Sequence, residues 1–377
     1  MGNLMTRRMI IVLSIMVAIF SKTSFADDYY NRLPVDKVYG DLSVMVLGSG
    51  GPLATTSGRA SAGYLIFVDG QPKILMDCGG GTYLRLGQSG ANIKDLDIIL
   101  LSHLHIDHMG DLDAIVKDMY FQNRVANVAT QPIDFPDGRT EPFTVYGPGA
   151  NNAPFAAASG VLVQPLTDLV DPMTAQYPAT STFVDEQFNV NTGLDRYLHV
   201  FSQMISGGIF AYNTQDVSPN WMGDINDLSS HVIYDKDGLV ITAVGVNHGP
   251  VPALAFRIDY KGKSIVYSGD TSSAGSHMIS LSQDADLVIY DTAITDTLPN
   301  KSPRDKAFFL LHTTPSRMGE VAAAANPKKL VLSHLTPNTE PNIDVVKDAI
   351  RANGYTGRIS VAEDLKVFNV GRDYDHH

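Results

Sequence analysis

Residues 103–108 read His-Leu-His-Ile-Asp-His, which places three of the chain's 11 histidines and an aspartate in six consecutive positions. Packing gives no reason for such a run, because polar titratable side chains are costly to bury unless they share a partner. Imidazole and carboxylate together are natural ligands for Zn²⁺ and similar divalent ions. In an extended loop His103 and His105 point to the same side and can grip one ion. Asp107 and His108, displaced by the turn that follows, can face a second. Four ligands still leave each ion under-coordinated, so the rest of the chain has to supply more.

Three strand-like runs do so. His248 ends LVITAVGVNH, Asp270 ends IVYSGD and His334 ends LVLSH. The assembled set gives His103, His105 and His248 to one ion and Asp107, His108 and His334 to the other. Asp270, with two carboxylate oxygens, can bridge them. Each ion keeps a position open to water, as in a catalytic site, which argues against an exported protein that only binds metal. Asp107 has a second role open to it, as the base that takes the proton of the attacking water. Asp77, just before Gly79-Gly80-Gly81, is placed to hydrogen-bond a ligand histidine. His199, His231 and His277 fall outside any ligand pattern and read as structural or surface residues.

The halves of the chain echo each other. Leu101-Ser102-His103-Leu104 recurs as Leu332-Ser333-His334-Leu335, and PKILMDCGGGT parallels KSIVYSGDTSS. This predicts an internally duplicated α/β layout whose strands deliver polar residues at their ends. Strands are expected at Leu42–Leu47, Tyr64–Val68, Lys73–Met76, Asp97–Ser102, Leu239–Val246, Ala253–Asp259, Ser264–Tyr267, Leu287–Tyr290, Lys329–Leu332, Ile359–Val361 and Lys366–Val370. Helices are expected at Asp111–Gln122, Leu194–Phe210, Pro315–Ala325 and Ile343–Ala352. Residues 123–230, rich in Pro, Asn, Thr and Ala, read as an insertion carrying loops and one helix, a lid or specificity element.

The first 26 residues read as a secretory signal. Arg7 and Arg8 precede an apolar run from Met9 to Phe20, and Ser24-Phe25-Ala26 offers small residues for cleavage after Ala26. The run is about 12 residues where spanning needs about 20, so no stable membrane anchor is expected. Thr6-Arg7-Arg8-Met9-Ile10 also resembles a twin-arginine signal. Residues 27–377 are then one domain, periplasmic or secreted, and Cys78 is its only cysteine, so no intramolecular disulfide holds it. Losing Arg7, Arg8 and Lys22 changes the net charge from −12 to −15, 25 basic against 40 acidic residues. On that acidity, nucleic acid is not expected as a partner.

HLHIDH matches the H-x-H-x-D-H signature of the metallo-β-lactamase superfamily, and the later histidine, SGD and SHL landmarks fall in that superfamily's order. The resemblance covers roughly residues 42–370 apart from 123–230. It implies an α/β fold, the αββα sandwich, with two divalent metal ions, zinc by preference, at one edge. True β-lactamases of this fold usually place a cysteine among the second ion's ligands; here the matching residue is Asp270. The all-His/Asp set therefore resembles the hydrolases of this fold that cleave phosphodiesters, sulfate esters, thioesters or lactones. LLHTTPSRMGEVAAAANPKKLVLSHL further resembles a segment of ribonuclease Z and zinc-dependent arylsulfatases. There a histidine precedes a helix and the last ligand strand. This implies that His312 stabilises the growing anion or protonates the leaving oxygen. Thr313 and Thr314 are candidate caps of the helix that begins at Pro315. The expected activity is hydrolysis of a small anionic ester by a metal-bridged hydroxide, arylsulfatase-like by preference. A ribonuclease Z-like phosphodiesterase and a lactonase or other carbonyl hydrolase are the alternatives.

Overall fold

The computed structural model describes residues 32–370 except 95, 125–126, 129–130, 133–140, 151–177, 189–192, 194–211, 218–229, 250 and 298–302. The signal segment, the helix expected at Leu194–Phe210, and His199 lie outside the described residues.

Two seven-stranded sheets form the centre of the molecule. The first holds β1 (Leu42–Gly48), β2 (Gly63–Val68), β3 (Gln71–Cys78), β4 (Ile98–Leu100), β7 (Phe143–Pro148), β8 (Tyr212–Val217) and β16 (Val367–Asn369). The second holds β9 (Ser230–Lys236), β10 (Leu239–His248), β11 (Val251–Tyr260), β12 (Lys263–Tyr267), β13 (Leu287–Asp291), β14 (Lys329–Ser333) and β15 (Arg358–Val361). A small ribbon pairs β5 (Asn127–Val128) with β6 (Gln131–Pro132).

The strand orders are β16-β1-β2-β3-β4-β7-β8 and β9-β10-β11-β12-β13-β14-β15. Each sheet has the same plan: four antiparallel strands, then three added parallel to the last of them. The duplication read from the sequence is thus a property of the sheets. The recurring LSHL is not topologically equivalent, however. It follows β4 in one sheet and β14 in the other, whereas the counterpart of β4 is β13.

The alternation along the strands makes three apolar layers. Tyr64, Ile66, Met76 and Leu100 of the first sheet meet Ile241, Phe256, Tyr267 and Ile289 of the second, between the sheets. The outer face of the first sheet buries Leu65, Phe67, Leu75 and Ile99 against Leu86 of helix Thr82–Ser89 and Ile115 and Met119 of helix Leu112–Arg124. The outer face of the second buries Val244, Val266, Val288 and Leu330 under Met318 and Val321 of helix Pro315–Ala325 and Val346 and Ile350 of helix Ile343–Ala352. The layers are therefore αββα, as expected. Each of these core side chains contributes about 1.5–3 kcal/mol when buried.

The 123–230 reading needs a correction. β7 and β8 fall inside it and extend the first sheet, with Ile98 paired to Thr144 and Phe143 to Tyr212. Helix Thr180–Gln187 also lies there and packs Val184 and Phe188 into the outer layer. Part of the supposed insertion belongs to the sandwich itself. Among the described residues, no helix is long and apolar enough to cross a membrane.

Candidate metal centre

The seven candidate ligands come from turns at the ends of buried strands. Beyond β4 the chain is tied to both sheets, Leu101 N–H donating to Tyr146 O (2.8 Å) and Leu254 N–H to Ser102 O (2.9 Å). His103 and His105 lie in the extended stretch that follows, and Asp107 and His108 in the short helix Ile106–Met109. His248 closes β10, Asp270 follows β12 and His334 follows β14. His334 is in the left-handed region at φ 59°, sparsely populated for residues with a Cβ. Leu335 N–H donates to Ser49 O and Gly51 N–H to Leu335 O, both at 2.9 Å, and these bonds hold the turn. A side chain at Gly51 would stand 2.9 Å from the His334 ring, so only glycine allows that approach. Gly269, at φ 56°, is similarly hemmed in by Leu254 O (2.5 Å) and Ser102 Cβ (3.0 Å).

The ring nitrogens converge into two pockets. In the first, one ligand atom each from His103, His105, His248 and Asp270 lies within 4.8 Å of the others. His103 Nε2 is 3.0 Å and His248 Nε2 3.3 Å from His105 Nδ1. In the second, Asp107, His108, Asp270 and His334 meet the same limit. His334 Nε2 is 3.2 Å from both His108 Nε2 and Asp107 Oδ2. Asp270 stands between the two. Its Oδ2 is 3.8 Å from His103 Nε2 and from His248 Nε2. Its Oδ1 is 3.3 Å from His108 Nε2 and 3.2 Å from His334 Nε2.

These residues suit divalent cations on the chemistry of the donor set. Asp270 Oδ1 is buried and, despite those short distances, has no hydrogen bond of acceptable geometry. Nitrogen and carboxylate lone pairs facing one another in a buried cleft are what an ion with N/O preference would satisfy. The outward ring nitrogens are also held. His108 Nδ1 donates to Asp77 Oδ2 (2.7 Å) and His248 Nδ1 to Leu311 O (2.9 Å), while Ser102 Oγ lies 3.1 Å from His103 Nδ1. Such contacts fix the tautomer and aim the other nitrogen inward.

The two pockets differ in charge. Burial holds His103 well below the usual imidazole range, lowers His105 and lowers His248 to about 3. In the second pocket burial acts the same way but is outweighed. Asp270, Asp107 and Asp77 lift His108 well above the usual range; Asp270, Asp107 and Asp291 lift His334 to about 10. Burial raises the Asp270 and Asp107 carboxyls, but the facing histidines pull both below the ordinary carboxylate range. Without metal, the first pocket sets three neutral histidines around the shared Asp270 carboxylate, and the second is a set of ion pairs.

His312 sits beside both pockets. Its ring centroid is 5.4 Å from His248 and 5.5 Å from His334. Its Nδ1 donates to Asp291 Oδ2 at 2.7 Å and is 3.9 Å from Asp270 Oδ2. Thr314 caps the following helix, accepting from Arg317 N–H (3.3 Å). Thr313 is buried and bonds Thr271 O (2.6 Å) and Ser273 Oγ (2.7 Å). Asp291 is the residue that the sequence reading missed. It is buried, lies 3.2 Å from His334 Nδ1 through Oδ1, and joins Asp270, His312 and His334 in a third group able to hold a metal. The signal was present, since Asp291 ends the apolar run LVIYD much as Asp270 ends IVYSGD. Of the remaining histidines, His231 is exposed on β9 and His277 is buried at the start of helix His277–Leu281.

Comparison with known proteins places these features. The model of the beta-lactamase superfamily domain matches residues 205–335, and that of the anti-Pycsar protein Apyc1 matches 42–130. Ribonuclease Z of Mycobacterium avium is 25% identical over 328 residues, 86% of this chain and 96% of that protein. Ribonuclease Z of Mycobacterium marinum is 25% identical over 326 residues, 86% of this chain and 97% of its own length. Among solved structures, human tRNase Z, short form, superposes with a TM-score of 0.57 at 21% identity, covering 88% of this chain and all of that one. YhfI from Bacillus subtilis gives 0.53 at 18% identity, covering 87% and 98%. The sandwich, the histidine–aspartate cluster and the matching family model define a metallo-hydrolase. The chain has the metallo-β-lactamase fold, its residues 205–335 match the superfamily's domain model, and along most of its length it is similar to ribonuclease Z.

These relatives overturn one expectation. The acidity of the chain argues against nucleic acid as a partner, yet the proteins that align along most of its length are ribonucleases by name. A summed charge does not describe the field inside a cleft. Ions bound there would be the largest local charges.

Proposed function

We propose that the protein is a two-zinc phosphodiesterase of the ribonuclease Z kind, acting on RNA phosphodiesters. The observation that carries this reading is the position of Asp270, which turns one carboxylate oxygen to each pocket. The ribonuclease Z relatives support the phosphodiesterase alternative over the arylsulfatase one. On this reading His103, His105, His248 and Asp270 would hold one ion, and Asp107, His108, His334 and Asp270 the other. Divalent ions bound there would lower the pKa of a water and polarise the ester oxygen. The chain's own groups do the rest. Asp107, kept ionised by His108 and His334, receives the proton of the attacking water. The water oxygen forms a new P–O bond, and the P–O bond to the leaving group breaks as that oxygen takes a proton from His312, which Asp291 orients through Nδ1. The products are a phosphomonoester and an alcohol.

The test is side-by-side hydrolysis by the zinc-loaded protein of a tRNA transcript, bis-p-nitrophenyl phosphate, p-nitrophenyl sulfate and a simple lactone. The proposal expects turnover of the two phosphodiesters, lost in His312→Ala. Sulfate or lactone turnover with both phosphodiesters untouched would refute it. Export is the second part of the proposal, supported by the apolar run and the small residues before Asp27. Mass spectrometry of the protein from its native cells should find an N-terminus at Asp27, and an intact Met1 with cytoplasmic fractionation would rule export out.

A further inference from the structure

Two tyrosines cross between the sheets beneath the cluster. Tyr64 belongs to β2 of the first sheet, and its hydroxyl is 2.7 Å from Ser333 Oγ at the end of β14 in the second. Tyr267 ends β12 of the second sheet and donates to Asp77 Oδ2 in β3 of the first, also at 2.7 Å. Each sheet thus sends one phenol to a strand end of the other. The rings touch, with centroids 4.8 Å apart and planes at 54°. Both residues are buried. Burial holds both phenols above the usual tyrosine range, so they stay protonated and able to donate.

Both contacts lead to the same pocket. Asp77 Oδ2, which accepts from Tyr267, also accepts from His108 Nδ1 (2.7 Å) and Ser102 Oγ (2.7 Å), and Oδ1 takes the Ser102 N–H (2.7 Å). Ser333, the partner of Tyr64, directly precedes the left-handed His334. His108 and His334 are the two imidazoles of the carboxylate-rich pocket. Among the described residues no tyrosine supports the three-histidine pocket in this way: His248 rests on Leu311 O, and His103 meets Ser102 Oγ, which Asp77 in turn holds.

We propose that Tyr64 and Tyr267 are positioning residues for the second pocket, a reciprocal cross-sheet clamp that fixes His108 relative to His334 so that the pair can receive one divalent cation. This rests on the two-ion reading above. His108 and His334 come from different sheets, and the apolar layer between the sheets is not directional. A metal pair needs its ligands within about 0.5 Å of the right place, which hydrogen bonds from rigid buried rings can set. Phenylalanine keeps the ring and removes only the hydroxyl, leaving Asp77 or Ser333 short of a partner.

The test is Co²⁺ titration of the metal-free protein, followed by calorimetry and by the ligand-field spectrum, for wild type, Tyr64→Phe, Tyr267→Phe and Ser333→Ala. His334→Ala marks which binding step belongs to the second pocket. Wild type should take up two ions. Each variant should weaken the step that His334→Ala abolishes by about 10–100-fold, with the other step unchanged. Ser333→Ala probes the Tyr64 arm even where a tyrosine variant fails to fold. Unchanged affinities at both steps, or equal weakening of both alongside a lowered melting temperature, would overturn the clamp and leave the two-ion reading standing. A wild-type protein that takes up fewer than two ions would sink both.

Discussion

The two pockets are built from the same residue types and share Asp270, yet they face opposite electrostatic problems. In the first, burial leaves three histidines neutral, with lone pairs ready for an ion. In the second, the pocket's two carboxylates, with Asp77 and Asp291 behind them, hold the two histidines as imidazolium until an ion displaces the protons. The lesson concerns order and pH. An ion entering the first pocket competes with little, whereas one entering the second must release protons, so its affinity falls as the medium becomes acid.

The strongest way to break this contrast is to remove what the pockets share. Asp270→Ala should lower zinc content at both pockets and reduce kcat/KM by about 10³-fold or more, since charge stabilisation at both ions is lost. Metal analysis alongside kinetics checks it. Retention of two ions with near-normal rates would show that the carboxylate does not join the pockets. Next in size is His312→Ala, expected to lower kcat by about 10²–10⁴-fold with zinc content unchanged. A loss of metal in that variant would make His312 a ligand. Asp77→Asn is expected to be milder and one-sided, weakening the second pocket's ion by about 10–100-fold and sparing the first.

The smallest effect is the most direct view of the asymmetry. In the metal-free protein, NMR titration should find His334 still protonated at pH 8 and His248 still neutral at pH 5, from values of about 10 and about 3. The signs follow by linkage. His334, raised in the fold, contributes stability that is complete below the unfolded value of 6.5 and lost as pH rises towards 10. His248, lowered in the fold, contributes a penalty that grows as pH falls from 6.5 towards 3. Two histidines titrating together near 6.5 would erase the distinction.

The strand-end ligands were legible because short apolar runs ended in His or Asp, and a six-residue motif has no apolar explanation. Helices Pro315–Ala325 and Ile343–Ala352 match their expected bounds, each having a clear apolar face. β8 was not legible: Tyr212–Val217 is an edge strand with polar Asn213, Gln215 and Asp216, so its alternation is weak. β7 was lost inside a polar stretch although Phe143, Val145 and Tyr146 are buried. Helix Thr82–Ser89, which follows three glycines, was not among the expected helices. That Asp291 meets His312, and that the two tyrosines cross between the sheets, could not be read. These contacts join residues of different elements, and a single sequence reports what lies along a strand, not what it meets.

The most direct test of the central claim is a zinc-edge anomalous diffraction map of the zinc-loaded protein. The account predicts two anomalous peaks, one among His103, His105 and His248 and one among Asp107, His108 and His334, with Asp270 reaching both. A single peak, or two peaks with Asp270 bound to neither, would contradict it.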